Sequence, residues 1–199
     1  MSLKYAQNKI SVDEYLRGEV LAESKHEYID GEVYAMAGAS ENHNLLSGNL
    51  FSELKSQLKG KPCKTFMSDM KVKVENNFFY PDVMVVCQED NANDYYKTSP
   101  LIIVEVLSDT TRRFDKTHKL SNYKQIASLE EYVLIEQNFS EIEVFSRQNH
   151  WQSSYYYLGD TITFASLNVK VSVEDIYYQV NNDDVTAFLQ NQAQQQLAN

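Results

Sequence analysis

The segment LIIVEVL, residues 101–107, constrains this chain more than any other stretch. Six branched or long aliphatic residues in seven read as a strand buried on both faces, at the centre of a sheet. Its one polar member is Glu105, set between Val104 and Val106. A carboxylate is almost never fully buried without a partner, so this strand must be met by a cation. A second apolar strand, PDVMVV at 81–86, opens on another acid, Asp82. If the two strands pair, Asp82 and Glu105 converge at one end of the sheet. Two carboxylates there repel each other unless a cation lies between them. One solution is an Arg or Lys from a neighbouring helix. The other is a hard divalent ion such as Mg²⁺, which takes oxygen ligands and commonly uses one or two carboxylates, with waters in the remaining positions.

The rest of the chain reads as alternating helices and short strands. Ser11 and Glu14 form a capping-box pattern, which predicts a helix over 12–18. EYIDGEVYAMA (27–37) predicts a hairpin around Asp30-Gly31, a pair favoured where a turn needs positive φ. Ser40 or Asn42 caps a helix running to about Leu58, whose stripe is Leu46, Leu50, Leu54 and Leu58, with Gly60 and Pro62 ending it. Strands are expected at 64–67, 70–75 and 81–87, then an Asn- and Asp-rich loop at 89–99 and the strand 101–107. A helix over 112–126 follows Ser108-Asp109-Thr110. YVLIE (132–136), EIEVFS (141–146), YYYLG (155–159) and a weaker segment near 161–170 predict an antiparallel tail to the sheet. The expected fold is an α/β domain over 1–180 with one mixed sheet flanked by helices. Residues 181–199 form a Gln- and Asn-rich tail. Its stripe of Val185, Phe188, Leu189 and Leu197 predicts a helix, docked or paired with a partner.

On the helix after Glu105, Asp115, Lys119 and Tyr123 recur every four residues and share one face. From Pro81-Asp82 through Glu105-Val106-Leu107-Ser108 to these three residues, the chain resembles the Uma-two family of restriction endonucleases. That family belongs to the PD-(D/E)XK nuclease superfamily. The likeness extends from the Glu27-Tyr28-Ile29-Asp30-Gly31-Glu32 hairpin and His43 to Glu131-Tyr132-Val133-Leu134-Ile135. It implies a restriction-endonuclease-like fold and a Mg²⁺-dependent endodeoxyribonuclease, with Mn²⁺ a possible substitute. Asp82 and Glu105 would bind the metal, joined by the backbone carbonyl of Val106. One departure is informative. The superfamily places a lysine two residues after the glutamate, where this chain has Leu107. The resemblance implies that Lys119 supplies that amine, to stabilise the phosphate or to help deprotonate the water.

Supporting roles stay open at the level of sequence. Asp115 either holds Lys119 or favours the start of its helix. Glu27 is a third ligand or a hairpin salt bridge. His43 caps or packs its helix, or carries protons. Asp69 suits a turn, and Tyr95, Tyr96, Tyr155, Tyr156, Tyr157, Tyr177 and Tyr178 suit strands or an interface more than base stacking.

Composition bounds the partners. Asp and Glu outnumber Lys and Arg by 28 to 18, a formal net charge of −10, which argues against a nucleic-acid coat protein or a protein anchored to anionic lipid. The charge is uneven, however. Lys55, Lys59, Lys61, Lys64, Lys71 and Lys73 form one basic block, and Arg112, Arg113, Lys116, Lys119 and Lys124 another. Together they hold eleven of the eighteen basic residues, and they flank the acids in sequence. Arg112, Arg113, Lys116, Lys71 and Lys73 are the expected contacts to a DNA backbone, bound weakly and with metal. The alternative is a catalytically inactive DNA-binding or protein-interaction module on the same fold. Cys63 and Cys87 are read as two free, buried thiols. No signal peptide or membrane span is expected, so a cytoplasmic location is. Cutting both strands of a duplex predicts a homodimer.

Overall fold

Strand alternation in the two acid-bearing segments sets the layers of the molecule. A computed structural model describes residues 9–88 and 93–198. In it β6 (Val83–Val86) pairs antiparallel with β8 (Ile102–Leu107), with Val83 opposite Val104 and Met84 opposite Ile103. Val83, Val85, Ile102, Val104 and Val106 turn to one face and join the Leu stripe of α2 (Glu41–Gln57). Met84, Val86, Ile103 and Leu107 turn to the other face, into a second core with Tyr123, Tyr132 and Leu134. By period-two alternation Asp82 and Glu105 belong to this second face. Both acids are therefore aimed away from α2.

The central sheet has six strands in the order β11-β10-β9-β8-β6-β3. The remaining members are β3 (Lys64–Met67), β9 (Glu131–Glu136), β10 (Ile142–Ser146) and β11 (Ser153–Tyr156). β8 runs parallel to β9, and the other pairings are antiparallel, so the sheet is mixed. The expectation of a single sheet is corrected by the register. A second sheet of five strands has the order β2-β1-β5-β4-β7. It comprises β1 (His26–Ile29), β2 (Glu32–Ala35), β4 (Lys71–Val74), β5 (Asn77–Phe79) and β7 (Tyr96–Lys97). β12 (Thr161–Phe164) and β13 (Val169–Ser172) form a separate hairpin packed on the α2 side. β5 is only three residues long and ends at Phe79, so sequence reading merges it into the loop before Pro81. The strand expected at 155–159 lies earlier, at Ser153–Tyr156, because Gly159 (φ 101°) belongs to the following turn. Of the Asn- and Asp-rich loop expected at 89–99, residues 89–92 lie outside the described residues.

Local signals account for the helices. α1 (Val12–Glu19) starts on the full Ser11/Glu14 capping box, and its Tyr15 ring stacks on Tyr28 at 4.9 Å. The Asp30-Gly31 turn places both residues at positive φ, 51° and 91°. Ser40 caps α2 by accepting from the His43 amide. Leu46, Leu50 and Leu54 are fully buried, each contributing about 2 kcal/mol of transfer free energy. The helix expected at 112–126 is broken in character. α3 (Arg112–Phe114) passes into a π-helical turn over Asp115–Lys119 and resumes as α4 (Leu120–Tyr123). A π turn holds one extra residue and is frequent at functional sites. α5 (Val173–Ile176) closes the β12–β13 side. The Gln-rich tail is helical, as α6 (Asp183–Ala198). It docks through Val185, while Leu189 and Leu197 are exposed.

The two cysteines are a second correction. Lys64 lies opposite Val86 in the β3–β6 ladder, so Cys63 and Cys87 are the next cross-strand pair. They form a disulfide, and no free cysteine remains. Separation in sequence conceals this neighbourhood until the register is known. No helix among the described residues is long and apolar enough to cross a membrane.

Candidate active site at the ends of β6 and β8

Asp82 directly precedes β6, and its side chain bonds β8 one step beyond the Val83–Val104 pair, while its carbonyl accepts from the Ser68 amide. Its Oδ2 accepts from the Val106 amide at 2.7 Å. Its Oδ1 lies 2.8 Å from Nε2 of His43, on the first turn of α2. Asp82 is thus clamped beside Glu105, the residue preceding that amide. Glu105 is buried, and its Oε1 accepts from Lys119 Nζ at 3.1 Å and from Tyr123 hydroxyl at 2.8 Å. No described residue donates to its Oε2.

Lys119 is the hub. Its buried amine also reaches Glu27 Oε1 at 3.0 Å and Asp115 Oδ1 at 3.3 Å. Glu27 comes from β1 and is held in turn by the Tyr80 amide. One ammonium therefore faces Glu105, Glu27 and Asp115, with Asp82 close by. Burial pulls the Lys119 amine toward neutrality, but the three carboxylates outweigh it and raise its pKa well above the ordinary lysine value. Glu105 is also pushed well above the ordinary carboxylate range. Burial is the main cause. Lys119 opposes it, and Asp115, Asp82 and Glu27 add to it. Both shifts point upward: the carboxylates keep the lysine charged, and burial above all makes the glutamate a weaker acid. Burial and the Glu105 charge likewise raise the Tyr123 hydroxyl well above its ordinary value, so it remains a donor.

These groups open onto a cleft of about 1060 Å³, walled by Glu27, His43, Asp82, Glu105, Asp115 and Lys119. Val106 lines it as well, and Tyr123 stands behind Glu105. Among the described residues no three His, Cys, Asp or Glu side chains group closely enough to hold a metal unaided. The donors do suit a hard divalent ion of the kind that keeps several waters. They are oxygens, negative charge exceeds positive, and Glu105 keeps one oxygen without a protein donor.

A family model described as "Uma2: Putative restriction endonuclease" matches residues 12–174. The chain belongs to the Uma2 family. Two relatives of this Uma2 chain come from Synechocystis sp. (strain ATCC 27184 / PCC 6803 / Kazusa). The uncharacterized protein slr1290 is 33% identical over 174 residues, covering 85% of this chain and 92% of the relative. The uncharacterized protein sll1609 is 38% identical over 143 residues, covering 69% and 81%. A crystal structure of a "putative nuclease belonging to DUF820" from Anabaena variabilis ATCC 29413 superposes with a TM-score of 0.71 at 18% identity. It covers 86% of this chain and 99% of that one, and shows the same fold.

The five expected DNA-contacting residues of this Uma2 chain are dispersed. Arg112 pairs with Glu136 and, at 3.6 Å, with Asp109. Lys116 pairs with Glu143 at 3.2 Å. Lys71 is buried, donating to the Tyr80 hydroxyl at 3.1 Å, and burial lowers its pKa. Lys73 lies over the Phe78 and Tyr96 rings. Arg113 is exposed. Asp69 pairs with Lys25 at 3.0 Å in the turn after β3.

Three cleft residues had escaped notice. Tyr80 secures Glu27 through its amide, while its hydroxyl donates to Glu19 at 2.8 Å. Gln137 bonds the Leu107 carbonyl at 2.8 Å and accepts from Ser40, tying the end of β8 to the start of α2. His118 stacks on Phe114. A polar residue just past the end of a parallel strand, as Gln137 is, is the signal that could have found it, since such strand ends host sites.

Proposed function

We propose that this protein is a divalent-metal-dependent endonuclease that hydrolyses DNA phosphodiester bonds. The observation that carries the reading is the side-by-side placement of Asp82 and Glu105, with the Lys119 amine on Glu105. Asp82 and Glu105 would hold Mg²⁺ or Mn²⁺, with the Val106 carbonyl as a further ligand. A divalent ion bound there lowers the pKa of a water and offsets charge on the phosphate. His43 and the Val106 amide fix the orientation of Asp82. Tyr123 fixes Glu105 from behind. Lys119, kept charged by its three carboxylates, donates to a phosphate oxygen and stabilises the charge that builds there. Its raised pKa favours this role over that of a base. Cutting both strands takes two such sites, so the reading includes a homodimer that brings two clefts to one duplex, with DNA bound weakly.

The test is cleavage of plasmid, linear duplex and single-stranded DNA with Mg²⁺ or Mn²⁺, beside Asp82→Ala and Glu105→Ala. Metal-dependent cutting by the wild type, absent from both variants, is expected. Equal background cutting by all three would leave an inactive binding module instead. Light scattering that finds only monomer at every concentration would remove the dimer.

A further inference from the structure

The basic block at 55–73 does not stay together in three dimensions. Lys71 and Lys73 enter the five-stranded sheet, whereas Lys55, Lys59, Lys61 and Lys64 gather where α2 ends and β3 begins. There they line a second, open groove of about 840 Å³ with the Phe51 and Phe66 rings. All four lysines are exposed. Their surroundings differ from those of the cations near the active site. Arg112, Lys116, Lys119 and Lys25 each have a carboxylate within ion-pair reach. Among the described residues none of the four groove lysines does, and no acid lines the groove. Lys61 donates to the Leu167 carbonyl, and Lys55 lies 5.0 Å from the Phe51 ring centroid. In a chain of net charge −10, four unneutralised ammonium groups side by side form a local electropositive patch.

We infer that this groove is a second contact for the phosphodiester backbone of duplex DNA, separate from the cleft. Its partner rests on the nuclease reading; its location does not. The lining includes no Arg, Asn or Gln to read base edges, but has lysines and the Ser52 and Ser56 hydroxyls, which suit phosphate oxygens. α2 joins the two sites. His43 on its first turn faces Asp82, and Lys55 stands on its last. Seventeen residues at 1.5 Å each give a helix of about 25 Å. That is about seven base pairs of duplex at 3.4 Å per step. The twelve residues from His43 to Lys55 rise about 18 Å, so the two sites lie within the length of one short duplex.

The experiment measures DNA binding in EDTA, so that no cutting intervenes. Fluorescence anisotropy on a duplex of about 30 base pairs, between about 50 and 200 mM KCl, gives the salt dependence of affinity. Three proteins are compared: wild type, Lys59→Gln/Lys64→Gln, and Arg17→Gln/Lys170→Gln. The last pair removes the same charge from exposed positions outside the groove lining. The groove variant is expected to bind more weakly, with a log–log slope shallower by about two, while the control keeps the wild-type slope. Equal slopes in all three, equal loss in both variants, or no binding by the wild type would each overturn the inference. A shifted slope beside a negative cleavage assay would remove the nuclease reading and keep the groove.

Discussion

The amine of Lys119 lies 3.1 Å from Glu105 Oε1, although fourteen positions separate them and they stand on different elements. The lysine that follows the glutamate along the strand in the wider superfamily is replaced here by Leu107, which packs in the core. An amine from the neighbouring helix meets the same carboxylate from the side, on a π turn that also buries Asp115.

Lys119→Gln is therefore expected to slow metal-dependent cleavage by about 10²–10³-fold without weakening metal affinity. Removing the ammonium from among three buried carboxylates should also lower stability, so the melt separates a loss of fold from a loss of chemistry. Single-turnover rates across a metal titration, beside a thermal melt, check this. An unchanged rate would show that the amine only neutralises the carboxylates.

His43→Ala should act on the metal rather than on the phosphate. Its ring nitrogen holds Asp82 Oδ1 at 2.8 Å, and removing such a support usually weakens metal binding by about 10–100-fold. The readout is the metal concentration at half-maximal cleavage. The midpoint should rise, with the rate at saturating metal largely kept.

Much of this arrangement is written locally. Alternation along 81–86 and 101–107 puts Asp82 and Glu105 on one face, and the i, i+4, i+8 spacing puts Asp115, Lys119 and Tyr123 on another that meets it. The Leu stripe of α2 and the Asp30-Gly31 turn are equally local. What stayed hidden depends on register between distant segments. Cys63 meets Cys87 only through the β3–β6 ladder. Glu27 reaches Lys119 only because β1 pairs with the short β5. Arg112 and Lys116 look like free surface charge until β9 and β10 bring Glu136 and Glu143 against them. Lys71 looks exposed until the five-stranded sheet covers it.

Glu131, far from the cleft, predicts a pH dependence of stability. Burial raises its pKa above the ordinary 4.5, partly offset by hydrogen bonds from Ser166. The folded state thus holds this proton more tightly than the unfolded chain. The stability it contributes is full below about 4.5 and is lost as pH rises through the folded value. Glu131→Gln should melt near the wild type at low pH and increasingly above it as pH rises toward neutrality. A constant gap, or one that shrinks, would contradict the shift.

Leu50→Ala tests the α2 side. Leu50 is fully buried, and its truncation should destabilise the protein by about 2–5 kcal/mol in urea, with the m-value unchanged.

The most direct test of the metal-nuclease account is the rate of plasmid nicking under single turnover as Mn²⁺ is titrated from zero. The wild type should be silent in EDTA and rise to saturation. Glu105→Ala and Asp82→Ala should stay at background at every Mn²⁺ concentration. Cutting that persists in EDTA, or that survives loss of either carboxylate, would contradict it.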